Sequence, residues 1–181
     1  MSKSKSAYST PTKVSKLETH IIVVWVDNEA SVLSRVVGLF SGRGYNIESL
    51  AVAEVDKKKN ISRITISTSG TPQVLQQIKL QLGKLVPVHK VADFPHNKKT
   101  LLREMALLKV VSSSTKLQKA KKLCKKYKYA ILDKTTKSFV FEVSALKKEI
   151  DELIKKLQPL GLASASRTGV VAMMKGSDIY K

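Results

Sequence analysis

The stretch DNEASVLSR, Asp27 to Arg35, sets two carboxylates and an amide within three residues, after the apolar run HIIVVWV and before VVGLFSGRGYNIESL. Two carboxylates can do acid–base work or hold a hard metal, but both tasks need a further base, hydroxyl or acid, and none is supplied nearby. Asp27 and Glu29 therefore read as a solvated turn. The corner does have the start of a helix, whose free backbone N–H groups and positive dipole end suit a carboxylate. Asn28 adds an amide that both donates and accepts. A free amino acid matches those features.

No catalytic constellation accompanies that corner. His20, His89 and His96 fall in different predicted elements without ligand spacing and read as strand or loop surface. Cys124, the single cysteine, lies in a Lys-rich helical stretch and reads as a small core residue in a reducing compartment. Walker, Rossmann, nucleophile-elbow and zincin patterns are all missing. In GRGYN the glycines follow a helix and stop it, so they cradle no phosphate. A different chemistry is suggested by KSFVFEV, where Lys137, Phe139 and Phe141 faintly echo the aromatic strand of RNA-recognition modules. The small residues of that signature are absent and the first strand offers no aromatic partner. A buried phenylalanine pair is favoured over an RNA-binding module.

The elements that must position these residues come in a repeated order. HIIVVWV is a buried strand, and from Val32 the apolar period changes to that of a helix, with Ser31 as N-cap and Gly42/Gly44 as its stop. NIESLAVAEV and ISRITIST are strands joined by the tip DKKKN. Pro72 opens a second helix, and VPVHKVADF closes with a strand. After the polar linker FPHNKKT the order starts again: strand REMALLKVVS, a Lys-faced helix, strands YAILD and KSFVFEVS, helix SALKKEIDELIKKLQPL, and one last strand within GLASASRTGVVAMM. Strand, helix, strand, strand, helix, strand, written twice, predicts an α+β chain of two ferredoxin-like split βαβ domains in tandem. The reading assigns 1–18 to a disordered tail, 19–94 to the first domain, 95–100 to a linker, 101–176 to the second domain and 177–181 to a tail. Each sheet leaves one face without helices, and dimerisation is expected to cover it.

Composition bounds what such a chain does. Its 181 residues suffice for two small domains, and 43% hydrophobic with 26% charged residues is globular. The formal charge of +19 is uneven, with 13 basic and 7 acidic groups in residues 1–94 against 20 and 7 in residues 95–181. Lysine dominates that excess, and it reads as a solvated coat more than as bidentate phosphate recognition. No apolar run reaches membrane-spanning length.

The residues DNEASVLSRVVGLFSGRGYNIESLAVAE, SRITISTSG, QLGKLVPVHKVADF, REMALLKV and ASASRTGVVAMMKG resemble, in colinear order, the small regulatory subunits of acetohydroxyacid synthase (acetolactate synthase). The resemblance covers about residues 20 to 176 and is weakest between about 112 and 145. It implies an N-terminal ACT domain followed by the family's C-terminal domain. It further implies a subunit without an active site that binds the catalytic large subunit, raises its activity and confers feedback inhibition by valine or another branched-chain amino acid. Thiamine diphosphate, magnesium and FAD would then belong to the large subunit, with no cofactor or metal in this chain. The resemblance implies a homodimer through ACT domains, no nucleic-acid or membrane partner, and a bacterial cytoplasmic or plastid location.

Carried over residue by residue, the resemblance makes Asn28 the loop asparagine of the effector site and Asn46, in GYNIESL, the asparagine that faces the effector from the neighbouring subunit. Leu33 and Ser34 would shape the pocket's apolar side. Ser31 departs from the family, which commonly has glycine there; its hydroxyl either caps the helix in competition with the effector or joins in binding the carboxylate.

Overall fold

The structure, a computed structural model, describes residues 17–94 and 99–177. Residues 1–16 of the expected tail, 95–98 of the expected linker with His96, and 178–181 lie outside them; Glu18, read as tail, opens the first strand and Thr100, read as linker, opens the fifth. The first unit contains β1 (Glu18–Asp27), α1 (Val32–Ser41), β2 (Ser49–Asp56), β3 (Ile61–Gly70), α2 (Pro72–Leu82) and β4 (Val88–Phe94). The second contains β5 (Thr100–Val111), α3 (Ser114–Cys124), β6 (Lys128–Lys134), β7 (Ser138–Ala145), α4 (Lys147–Leu157), a 3-10 turn, β8 (Leu162–Arg167) and β9 (Val171–Met174). The strand orders are β2-β3-β1-β4 and β6-β7-β5-β8, all neighbours antiparallel, so the α+β tandem repeat of architecture is present.

Each unit packs both helices on one sheet face because its apolar periods coincide there. Ile22, Val24 and Val26 alternate inward on β1 and meet Ile64 and Ile66 of β3, with Val36 and Phe40 of α1 and Leu75 and Ile78 of α2 above them. In the second unit Leu108, Phe141 and Val143 meet Leu117, Cys124, Ile150 and Leu153 in the same way.

The unbroken apolar run of β1 has its explanation in a third core. Ile21 and Val23, on the helix-free face, pack with Ala92 and Phe94 of β4 against Leu102, Val170 and Ala172 of the second unit. That face was expected to need a second copy of the chain. Along β1 and β4 the chain covers it itself, and the outer strand β2, with Val52 and Val55 exposed, keeps an open edge.

The cover is built by a break in the sequence's last strand. One strand was expected across GLASASRTGVVAMM; two are formed, separated by Thr168-Gly169-Val170. Arg167 pairs with Ala106 and Val171 with Arg103, so the two residues between them on β5 face three, Thr168 to Val170, on the other strand. This is the one-residue surplus of a bulge. Gly169 supplies its positive φ of 79°. The bulge turns β9 onto the first unit, where its neighbour Arg63 of β3 reaches across to donate to the Ala172 carbonyl at 2.5 Å. The Arg63 guanidinium also stacks 5.3 Å from the Trp25 ring centroid.

Candidate functional site

The corner between β1 and α1 is held by β3. Asn28 donates its backbone N–H to the Asn60 carbonyl at 2.7 Å, and its side-chain Oδ1 accepts from Ser62 Oγ at 2.9 Å. The Asn60 amide returns a bond to the Asn28 carbonyl at 3.3 Å. Asn28 is thus fixed in place yet exposed.

Ser31 is the N-cap of α1 by position, with φ 69° and ψ −8°, the left-handed region. Its side chain makes no capping bond. The proposed competition between a Ser31 cap and a ligand therefore has no counterpart here, and the residue carries backbone strain without that compensation. Ser31→Gly is expected to raise stability by roughly 0.5–1 kcal/mol, because glycine relieves the left-handed penalty and no hydrogen bond is lost. A shift of the urea midpoint to higher concentration checks it; a lower midpoint would mean that the serine hydroxyl contributes to the fold.

The amides of Leu33 and Ser34, in the first turn of α1, have no backbone acceptor among the described residues. Both side chains are exposed, Leu33 on the surface beside the corner and not in the core. Asn28, Ser31, Leu33 and Ser34 therefore share one end of the first unit, where amide donors and an apolar side chain face solvent together.

Asn46 is not among them. Thr68, on β3, donates to the Asn46 carbonyl at 2.7 Å, whereas Asn28 is bound by Ser62 of the same strand. Six residues of strand separate those anchors, about 20 Å. One ligand cannot touch both asparagines within one chain.

Asp27 pairs with His89 at 2.6 Å, and no metal-holding cluster of His, Cys, Asp or Glu occurs among the described residues. His20 meets Asp93 at 2.8 Å, and Lys79 reaches the same carboxylate at 2.8 Å. Cys124 is buried, and burial pushes its thiol up to about 12, so it is no nucleophile.

Phe139 and Phe141 overturn the RNA reading. They sit edge-to-face, centroids 5.7 Å apart, under α3 and α4, 3% and 0% exposed. Their strand face is the helix-covered one, where no base can stack. No helix among the described residues is long and apolar enough to cross a membrane.

Sequence reasoning missed two charged contacts. Glu104 is 3% exposed and is gripped by Arg167, which also reaches Asp151. The signal was legible: Glu104 stands at an inward position of a strand whose other inward residues are nearly all apolar. The second contact, Lys147 Nζ to Glu48 Oε2 at 3.0 Å, joins α4 to the GYNIESL segment and left no trace in sequence spacing.

Fold and corner together define a tandem α+β protein of two split βαβ units. Residues 22–90 match the family described as the AHAS small subunit-like ACT domain, and residues 103–176 the one described as the small subunit of acetolactate synthase. The chain is 35% identical over 168 residues to the acetolactate synthase small subunit of Aquifex aeolicus, covering 91% of this chain and 85% of that one. It is 38% identical over 157 residues to that of Haemophilus influenzae, covering 86% and 95%. The crystal structure of the small subunit from Thermotoga maritima superimposes with a TM-score of 0.80 at 30% identity, covering 89% of this chain and 99% of that chain. The chain belongs to the acetolactate synthase small-subunit family.

Proposed function

We propose that this chain is the non-catalytic regulatory subunit of acetolactate synthase: it binds the catalytic large subunit, raises its activity and lowers it again when valine binds. The reaction regulated is the joining of two pyruvates, or of pyruvate and 2-oxobutanoate, with loss of carbon dioxide, in branched-chain amino-acid biosynthesis. Thiamine diphosphate, magnesium and FAD act on the large subunit, and the setting is the cytoplasm.

The observation that carries the effector reading is the placement of the two asparagines at opposite ends of an open edge. If two copies pair antiparallel along β2, a two-fold axis brings Asn46 of one beside Asn28 of the other. The first-turn amides of α1 then meet the valine carboxylate, the two asparagine amides its polar groups, and Leu33 its side chain. β2 is suited to such pairing, with Val52 and Val55 exposed and no lysine between Ser49 and Asp56, whereas the outer strand of the second sheet, β6, carries Lys128 and Lys134. Each effector site would complete itself only in the dimer, and binding would shift the complex by a coupling of roughly 1–3 kcal/mol.

Assaying the large subunit with and without this chain tests the reading. A rise in turnover and co-purification are expected; neither effect would sink it. Asn28→Ala should weaken valine binding about tenfold or more by calorimetry, the cost of one lost polar contact. Unchanged affinity would place the effector elsewhere.

A further inference from the structure

The segment that carries Asn46 also makes an ion pair with the second unit. Glu48, two residues on, donates its N–H to the Ser67 carbonyl at 2.8 Å. Its carboxylate accepts from Ser69 Oγ, from Ser67 Oγ at 3.3 Å and from Lys147 Nζ at 3.0 Å. The bond from Ser69, with those from Lys147 and Ser67, outweighs desolvation and holds the Glu48 carboxyl below its ordinary range, so it is charged at neutral pH. Lys147 is the first residue of α4, whose Ile150, Leu153 and Leu157 are buried in the second core. A displacement of Lys147 is therefore a displacement of a helix end.

The neighbouring contacts follow the same seam. Val170 N–H points to Ser49 Oγ at 3.5 Å, and a Cβ on Gly169 would lie 3.4 Å from the Leu50 carbonyl oxygen. Yet the seam is not filled. A cavity of about 310 Å³ lies between Glu48, Lys147, Glu104, Arg167 and the Thr168-Gly169 corner, leaving room for the segment to shift. Elsewhere the junction consists of the apolar contact of Ile21, Val23 and Phe94, on β1 and β4, with Leu102, Val170 and Ala172, and of the Arg63 bond to the Ala172 carbonyl, none of it on the effector segment.

We propose that the Glu48–Lys147 pair is the positioning contact through which effector held at Asn46 acts on the second domain. The inference rests on the effector reading above and names its regulation. Occupancy at Asn46 moves a segment of which Glu48 is the third residue, and the ion pair transmits that movement to the start of α4. Because the pair is partly exposed it adds little to stability, so its geometry can change while the chain stays folded. Its contribution is coupling, which by linkage must be reciprocal between the two sites.

The test uses the full chain reconstituted with the catalytic subunit, comparing Glu48→Gln, Lys147→Met and the exchange Glu48→Lys/Lys147→Glu. Activation and valine affinity, by assay and by calorimetry, are expected to stay within about twofold in the single variants. The midpoint of inhibition should follow binding and stay within about twofold, while the activity remaining at saturating valine should rise at least threefold, and the exchanged pair should restore part of the inhibition. Inhibition unchanged in both single variants overturns the coupling role alone. A parallel loss of valine binding overturns it too, since the pair would then be building the site. A wild-type chain that activates but binds no valine removes the effector reading, and this inference with it.

Discussion

Arg167→Met is expected to lower the free energy of unfolding by about 3 kcal/mol, measured by urea denaturation. Glu104 is 3% exposed on β5, between Leu102, which faces the first unit, and Ala106, which faces the second core. Arg167 answers it with two bonds, Nε to Oε1 at 2.5 Å and an Nη to Oε2 at 2.9 Å, and spends a third on Asp151 at 2.6 Å. Removing the guanidinium leaves a desolvated carboxylate unpaired, which costs about 3–5 kcal/mol; the lower end applies because Arg167 remains partly exposed. The bonds that Arg167 donates to Glu104, with the one to Asp151, hold its pKa above the usual value. With a raised folded pKa, the arginine's contribution is present below the unfolded value and lost only at still higher pH. The guanidinium's own part in stability is thus constant wherever the chain folds. Glu104→Leu/Arg167→Met should recover most of the loss, since an apolar pair of similar volume replaces a buried ion pair at little cost. A single variant that loses under 1 kcal/mol would show that water reaches Glu104.

Phe141→Ala is expected to cost about 3–5 kcal/mol and to do so without touching any ligand. The ring is 0% exposed, meets Phe139 edge-to-face and Tyr129 at a centroid distance of 6.3 Å, and fills the space beneath α3 and α4. Truncation leaves a cavity that a sheet clamped by two helices cannot collapse. Against a typical stability of about 5–15 kcal/mol, that loss should lower the melting temperature by about 10 °C or more. Thermal unfolding followed by circular dichroism checks this. A variant as stable as the parent would mean that the ring is free to leave the core, and would reopen the stacking role that its burial now excludes.

These two residues mark how far local pattern reaches. Alternation put Phe139, Phe141 and Glu104 on inward positions, and from alternation alone an inward aromatic on a sheet is either core or stacking platform. Which it is depends on whether helices cover that face, and α3 and α4 cover it. Glu104 was readable as an anomaly in its strand, but its partner stands 63 residues away, and pairing across that separation has no periodic signature.

Ser31 shows the opposite case. Its departure from the family's glycine was visible in sequence, and the positive φ of 69° gives that departure its physical meaning. At the same corner Asp27 is taken up for a tertiary reason: it turns to His89 on β4, a strand brought alongside β1 by the crossover through α2.

The sequence by itself determined the order of elements, the two-fold repetition of the split βαβ plan, the inward faces of strands and helices, and, through the run LSRVVGLFSGRGYNIESL, the family. Each of these is written in residues close together, as a period of 2 or 3.6, a turn residue or a motif. Tertiary structure alone decided that β9 folds over the first sheet, that Asn28 and Asn46 stand at opposite ends of β3, and that Glu48 meets Lys147. Those depend on which distant surfaces close over one another, and burial of apolar area, which drives that closure, is non-directional and leaves no spacing in the chain to read.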